Sequence, residues 1–207
     1  MGRCVRIESD LIEINREILI MNVKIIRTTP FGPVALVWSW LNGYPQILKI
    51  IISKPDLSAE YQLISAYPNY ELSSCEEVDE LATSIHAFLE GENIQFPLDI
   101  VAMDSCSPFQ KAVLIAEYGI QRGNVSTYKL IAQHIGRVGG ARAVGNALAG
   151  NPFPIVIPCH RAIRSDGYVG GFQGGLEMKQ ALLEKEGITF DAKGRVISPR
   201  LQYDNPK

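Results

Sequence analysis

The residues best suited to covalent chemistry stand side by side in NPFPIVIPCHRAIRSDGYVGGF, residues 151–172, where Cys159 is followed by His160 and Arg161. A thiol becomes a good nucleophile only as the thiolate, and a neighbouring imidazole or guanidinium lowers its pKa. Adjacent side chains on an extended strand point to opposite faces, so Cys159 and His160 can cooperate only where the chain turns. The sequence predicts a short apolar strand over Ile155–Ile157, bracketed by Pro152, Pro154 and Pro158, with the turn at its end. An isolated Cys-His pair is also what a buried structural cysteine looks like. The remaining cysteines, Cys4, Cys75 and Cys106, make no CxxC pair. That spacing argues against a zinc ribbon, a thioredoxin-type motif or a dense disulfide framework, and reduced thiols in a cytoplasmic protein are the default.

The elements that must hold this segment lie just upstream. Ser107-Pro108 opens a helix through about Tyr118, with proline suited to the first turn. Ser126 or Thr127 caps a short helix containing Leu130, Ile131 and Ile135 and closed by Gly136. After RVGG (137–140) a second helix runs from about Ala141 to Ala149, so the pair reads as a helix-turn-helix. This second helix, ARAVGNALAG, is built of small residues that let another surface come close, and Arg142 is its one long charged side chain. A surface arginine covering apolar neighbours is the simpler alternative for that residue.

Charge is divided unevenly. The 207 residues carry a formal net charge of −2, yet residues 1–100 hold 7 basic and 14 acidic side chains and residues 101–207 hold 13 and 8. Between Glu117 and Asp166 there is no acid, while Arg122, Lys129, Arg137, Arg142, Arg161 and Arg164 all occur. Such asymmetry points to an anionic partner such as nucleic acid, although a solvated basic face would look the same. No apolar stretch is long enough to cross a bilayer, and the N-terminus, with acids from Glu8, does not read as a secretory signal.

In the acidic half, residues 19–27, 34–40 and 47–53 are rich in β-branched and aromatic residues, and Asn42-Gly43 is a strong hairpin signal. They predict a small antiparallel sheet. Residues 76–90 place Val78, Leu81, Ile85, Phe88 and Leu89 at helical spacing, with Gly91 as the stop. The segment 96–108 is the joint, which divides the chain into an N-terminal domain, 1–100, and a C-terminal domain, 101–207.

IPCHR, with GARAVGNALAGNPFPIVIPCHR before it and GYVGGFQGGLEMKQALLEKEG after it, resembles the O6-alkylguanine-DNA alkyltransferases. The likeness covers residues 107–188 closely and without gaps between motif positions. It implies an α+β protein: an RNase H-like N-terminal sheet with a helix, then a mostly helical, winged-helix-like domain. It implies that Cys159 accepts the alkyl group, that His160 activates it through a water, that Glu186 orients His160, and that Asn151 holds the turn. Tyr128 falls on the residue that helps rotate the base out and gives it a proton, and Arg142 on the one that fills the gap in the duplex. Thr127, Ala141, Arg161 and Lys179 are carried over as further DNA contacts, with Ala162, Val169, Gly170, Phe172 and Gln173 as the substrate pocket. Phe172 and Gln173 stand where many members have Tyr and Ser, which bears on the range of alkyl groups.

The implied activity is single-turnover repair: a flipped O6-alkylguanine, or an O4-alkylthymine, loses its alkyl group to Cys159 as a stable thioether. The implied partner is double-stranded DNA carrying the lesion, bound by a monomer without cofactor or metal. A non-catalytic alkylguanine sensor is the alternative, but those proteins lack the acceptor cysteine. A cysteine hydrolase would lack an oxyanion motif here, and a transcription regulator would leave Cys159 incidental.

Overall fold

The computed structural model describes residues 21–204. Strands β1 (Met21–Ile26), β2 (Val34–Leu41) and β3 (Tyr44–Ile52) form an antiparallel meander. The β2–β3 turn is the two-residue Asn42-Gly43, both at positive φ (53° and 82°), the backbone that matches the twist of a hairpin. Helix α1 (Ala59–Ala66) and the short β4 (Tyr70–Leu72) follow. β4 pairs with β1 in parallel, giving the order β3-β2-β1-β4. The sheet is therefore mixed rather than wholly antiparallel, because α1 carries the chain back across it before β4 is laid down. The expected first strand began at residue 19; residues 19 and 20, like Cys4, lie outside the described part.

Alternation along β2 decides which layer covers which face. Leu36 and Trp38 join Ile85, Phe88 and Leu89 of helix α2 (Glu76–Glu90), whereas Ala35 and Val37 pack with Leu63 of α1. α2 ends at Gly91, φ 114°, as its glycine stop requires.

The α2-side core does not stop at residue 100. It continues through Val113 and Leu114 of α3 (Pro108–Tyr118), Ile131 of α4 (Tyr128–His134), Val144 of α5 (Ala141–Ala149), and Phe153, Ile157 and Cys159. α3 starts as expected from its Ser107 cap, whose side chain accepts from Gln110 N–H. A two-stranded parallel ladder, β5 (Ser126–Thr127) with β6 (Ala162–Ile163), and helix α6 (Gly175–Lys185) complete the architecture. Arg122 ties the halves together, its guanidinium donating to the carbonyls of Gly91, Glu92 and Lys185. No helix among the described residues is long and apolar enough to cross a membrane.

The expected strand at Ile155–Ile157 is not one. Residues 153–157 form a tight turn in which Ile157 N–H donates to Phe153 C=O, and Ile155 sits at φ 76°. The three flanking prolines remove the donors a ladder would need. A β-branched residue in the left-handed region is strained, at a cost on the order of 1–3 kcal/mol that the surrounding packing must offset.

Candidate functional site

The turn that presents Cys159 is gripped by one amide. Asn151 accepts from Phe153 N–H (2.9 Å) and donates through Nδ2 to Ile157 C=O (3.3 Å) and to Cys159 Sγ (3.2 Å). Gln173 secures the approach to this turn, donating to the carbonyls of Ala149 and Asn151. Ile50 of β3 donates to Pro152 C=O, so the sheet anchors the same segment from below. Cys159 is then carried on a short 3-10 turn, Cys159–Arg161, rather than on a strand.

That turn sends its next two side chains into one buried carboxylate. His160 Nε2 lies 2.9 Å from Glu186 Oε1, and Arg161 makes a bidentate pair with the same carboxylate through Nε and Nη2. Arg161 Nη1 also donates to Ile120 C=O. Burial raises the energy of an ionised Glu186, but the hydrogen bonds from His160 and Arg161 prevail and hold its pKa near 2. Burial outweighs Glu186 at His160 and lowers its pKa, so the ring is neutral. With Nε2–H given to the carboxylate, Nδ1 is left as the basic nitrogen, and it has no protein partner among the described residues.

The Cys159 thiol is buried and pushed up to about 11, chiefly by desolvation; the Asn151 hydrogen bond and the charge of Lys179 work in the opposite direction. Lys179, fully buried, donates to Ala162 C=O (2.5 Å) and Gly171 C=O (3.3 Å) and lies 5.8 Å from the centre of the Tyr128 ring. Tyr128, the first residue of α4, is half-buried, with its phenol raised to about 12 mainly by burial. Gly170, at φ 70°, passes so close that a Cβ there would meet Tyr128 Oη at 2.7 Å. Phe172 stands edge-on to His160, ring centres 6.3 Å apart.

Thus Cys159, His160, Glu186, Asn151, Tyr128, Lys179, Ala162, Gly170, Phe172 and Gln173 are gathered around one thiol. Val169 packs instead with Val125, Ile163 and Leu183 in a separate apolar cluster. Two expected DNA contacts need correction. Arg161 and Lys179 are buried and committed internally, so neither can meet a phosphate. The Thr127 hydroxyl is the α4 cap, accepting from Leu130 N–H.

The basic stretch contracts in the same way. Arg122 and Arg161 are bound within the protein and Arg164 is paired with Asp166. Lys129, Arg137 and Arg142 remain exposed and, among the described residues, without an acidic partner. They lie on α4, the intervening turn and α5. Ala141 starts α5, whose Val144 and Leu148 face the core while Arg142, Ala143 and Asn146 are exposed.

Glu117 is the residue that sequence reasoning missed. It is fully buried on the core face of α3, with neither carboxyl oxygen hydrogen-bonded. Its spacing from Val113 and Leu114 was the available signal, since an acid at that position faces the same side as they do. Among the described residues no group of three or more His, Cys, Asp or Glu side chains could hold a metal ion.

Residues 108–188 match the model of the 6-O-methylguanine DNA methyltransferase DNA-binding domain. A methylated-DNA–protein-cysteine methyltransferase of Methanothermobacter thermautotrophicus is 42% identical over 116 residues, 56% of this chain and 65% of that protein. The chain therefore covers just under two thirds of that relative's length. The solved Mycobacterium tuberculosis O6-methylguanine methyltransferase is 27% identical with a TM-score of 0.62, covering 81% of this chain and 92% of that one. The OGT of the same organism in complex with DNA is 28% identical with a TM-score of 0.60, over 80% and 92% of the two chains.

Proposed function

We propose that this chain, whose residues 108–188 match the model of the 6-O-methylguanine DNA methyltransferase DNA-binding domain, repairs O6-alkylguanine in duplex DNA by taking the alkyl group onto Cys159. The observation that carries this reading is the Cys159 turn itself. A thiol held by Asn151 sits one residue from a neutral, carboxylate-anchored imidazole whose free nitrogen can serve as the base.

The chemistry balances without a cofactor. His160, acting through a water, takes the thiol proton; the thiolate attacks the alkyl carbon, an S–C bond forms and the C–O6 bond breaks. The guanine keeps that electron pair, accepts a proton with Tyr128 as donor, and leaves as the normal base. A thioether has no route back to a thiol in this site, so each molecule acts once.

Access to the lesion requires the nucleotide to leave the stack, at a cost of a few kcal/mol. The exposed α5 surface around Arg142 is suited to the minor groove, with Arg142 replacing the flipped base. Lys129 and Arg137 supply sequence-independent phosphate contacts. We read residues 1–100 as an RNase H-like domain, for which the order β3-β2-β1-β4 with β4 parallel to β1 is the supporting feature. Residues 101–207 are read as a winged-helix-like domain built on α4 and α5. The protein acts as a cytoplasmic monomer on this reading.

The test is made on the DNA. A duplex with a single O6-methylguanine is mixed with limiting protein and the restored guanine is quantified as the free nucleoside after digestion. Restored guanine should rise to one per protein molecule and stop. Either continued turnover or none at all overturns the proposal.

A further inference from the structure

Two helices end at the same place, one from each half of the molecule. α2 stops at Glu90 and α6 at Lys185, and the last carbonyls of a helix have no partner within it. Arg122 lies between the two ends. Its Nη2 donates to Gly91 C=O and to Lys185 C=O, each at 2.7 Å, and its Nη1 donates to Glu92 C=O at 2.8 Å. Lys185 adds a second tie, donating through Nζ to Glu90 C=O at 3.0 Å. The helix dipole favours both cations at these C-terminal ends.

The residue after Lys185 is Glu186, the carboxylate that anchors His160. Arg122 therefore grips the main chain of α6 one residue short of that anchor. The same segment holds Glu186 from its other side. Arg161, bidentate on the Glu186 carboxylate, donates through Nη1 to Ile120 C=O, two residues before Arg122. Gly123, one residue after Arg122, runs so close that a Cβ there would lie 3.5 Å from the Glu186 carbonyl oxygen. Residues 120–123 thus meet Glu186 at its own carbonyl, at the carbonyl before it, and through Arg161 at its carboxylate. The end of α2 belongs to the same assembly, since Phe88 lies against the His160 ring with centres 5.8 Å apart.

We propose that Arg122 is a positioning residue for His160: by binding the Lys185 carbonyl it fixes the end of α6 from which Glu186 holds the imidazole, with Nε2–H on the carboxylate and Nδ1 free. This rests on the reading of His160 as the base for Cys159, and it adds a residue outside the thiol pocket on which that base depends. A planar guanidinium fans its donors, so one side chain spans both helix ends where a single ammonium could not. Glu186 is bidentate to Arg161 but makes one bond to His160, so a shifted α6 end releases the imidazole first. Without that bond the two neutral tautomers approach each other in energy, and a ring protonated at Nδ1 cannot accept the thiol proton there.

The test uses the full chain. It has three histidines, His86, His134 and His160, so ring-nitrogen NMR shifts can report the His160 tautomer with no DNA present. Wild type should show His160 protonated at Nε2 alone. Arg122→Gln should show both tautomers and should take methyl from an O6-methylguanine duplex about tenfold more slowly per folded molecule, part of the roughly 10²–10⁴-fold that a general base supplies. Arg122→Lys should fall between the two. Lys185→Met, which cuts the other tie between the same helix ends and leaves the Arg122 bonds, should keep the wild-type tautomer and rate. A wild-type tautomer in Arg122→Gln would overturn the proposal whatever the loss of stability. Equal losses in Arg122→Gln and Lys185→Met would overturn it too, since they would mark a loosened junction alone. A wild-type protein that shows the Nε2–H tautomer yet repairs no DNA would instead count against the proposed function.

Discussion

The sheet half and the thiol half of this molecule bury different things. Of the buried polar side chains in the described residues, Ser53 alone belongs to the sheet half; Glu117, Ser126, Thr127, Asn151, His160, Arg161, Lys179 and Glu186 all belong to the other. Leu36, Trp38, Ile47 and Ile85 bring no polar atom that must find a partner except the Trp38 indole, which donates to Ser73 C=O. Apolar burial there supplies stability at about 25 cal/mol per Å². Around Cys159 the same depth is occupied by charges, each costly to remove from water unless paired. The contrast teaches that the sheet half is a support and that the polar half holds chemistry at a thermodynamic cost.

The sharpest way to break that contrast is to remove Glu186. Glu186→Ala leaves Arg161 and His160 buried without their carboxylate and should lower unfolding free energy by about 3–5 kcal/mol in urea titration. The rate of alkyl transfer per folded molecule should fall as well. Leu36→Ala should cost a similar amount, about 2–5 kcal/mol from the cavity left behind, yet leave that rate unchanged. Equal loss of rate in both variants would erase the distinction between support and site.

Acid should act selectively on the polar half. The folded pKa of Glu186 is depressed to about 2 from an ordinary 4.5, so its contribution is present above pH ~4.5 and is lost as pH falls toward 2. Wild type should lose stability over that window, and Glu186→Gln should lose less. Glu117 has the opposite sign. Its folded pKa is raised to about 8, so ionisation opposes folding, with no penalty below pH ~4.5 and the full penalty above pH ~8. Glu117→Gln should therefore stabilise the protein at pH 8, by a few kcal/mol on the order of 2–4, and change little at pH 4. A uniform effect at both pH values would contradict the assignment.

The smallest effect on stability is expected at Arg142. It is exposed and unpaired among the described residues, so Arg142→Ala should change unfolding by no more than about 0.5 kcal/mol. It should nevertheless slow transfer from a methylated duplex while leaving iodoacetamide modification of Cys159 unchanged.

What could be read from the residues followed how local its cause was. Glu76–Glu90, Pro108–Tyr118 and Ala141–Ala149 were legible to the residue or nearly so because caps, prolines and glycines act within a turn of chain. The strand misread at Ile155–Ile157 had strand composition but prolines that forbid the ladder. α1 and β4 went unassigned because β4 is three residues long and exists only by pairing with β1, far back in the sequence. Arg161 and Lys179 were placed on the surface because their charge is visible in the sequence and their burial is not. Arg161 is explained by Glu186, 25 residues away, and Glu117 by a fold that closes over it.

Peptide mass analysis after exposure to a duplex carrying O6-methylguanine tests the central claim most directly. One methyl group should replace the thiol hydrogen of Cys159, in a single copy per molecule even with excess duplex, and Cys159→Ala should remain unmodified. A methyl on Cys75 or Cys106, or repaired DNA with an unmodified Cys159, would contradict it.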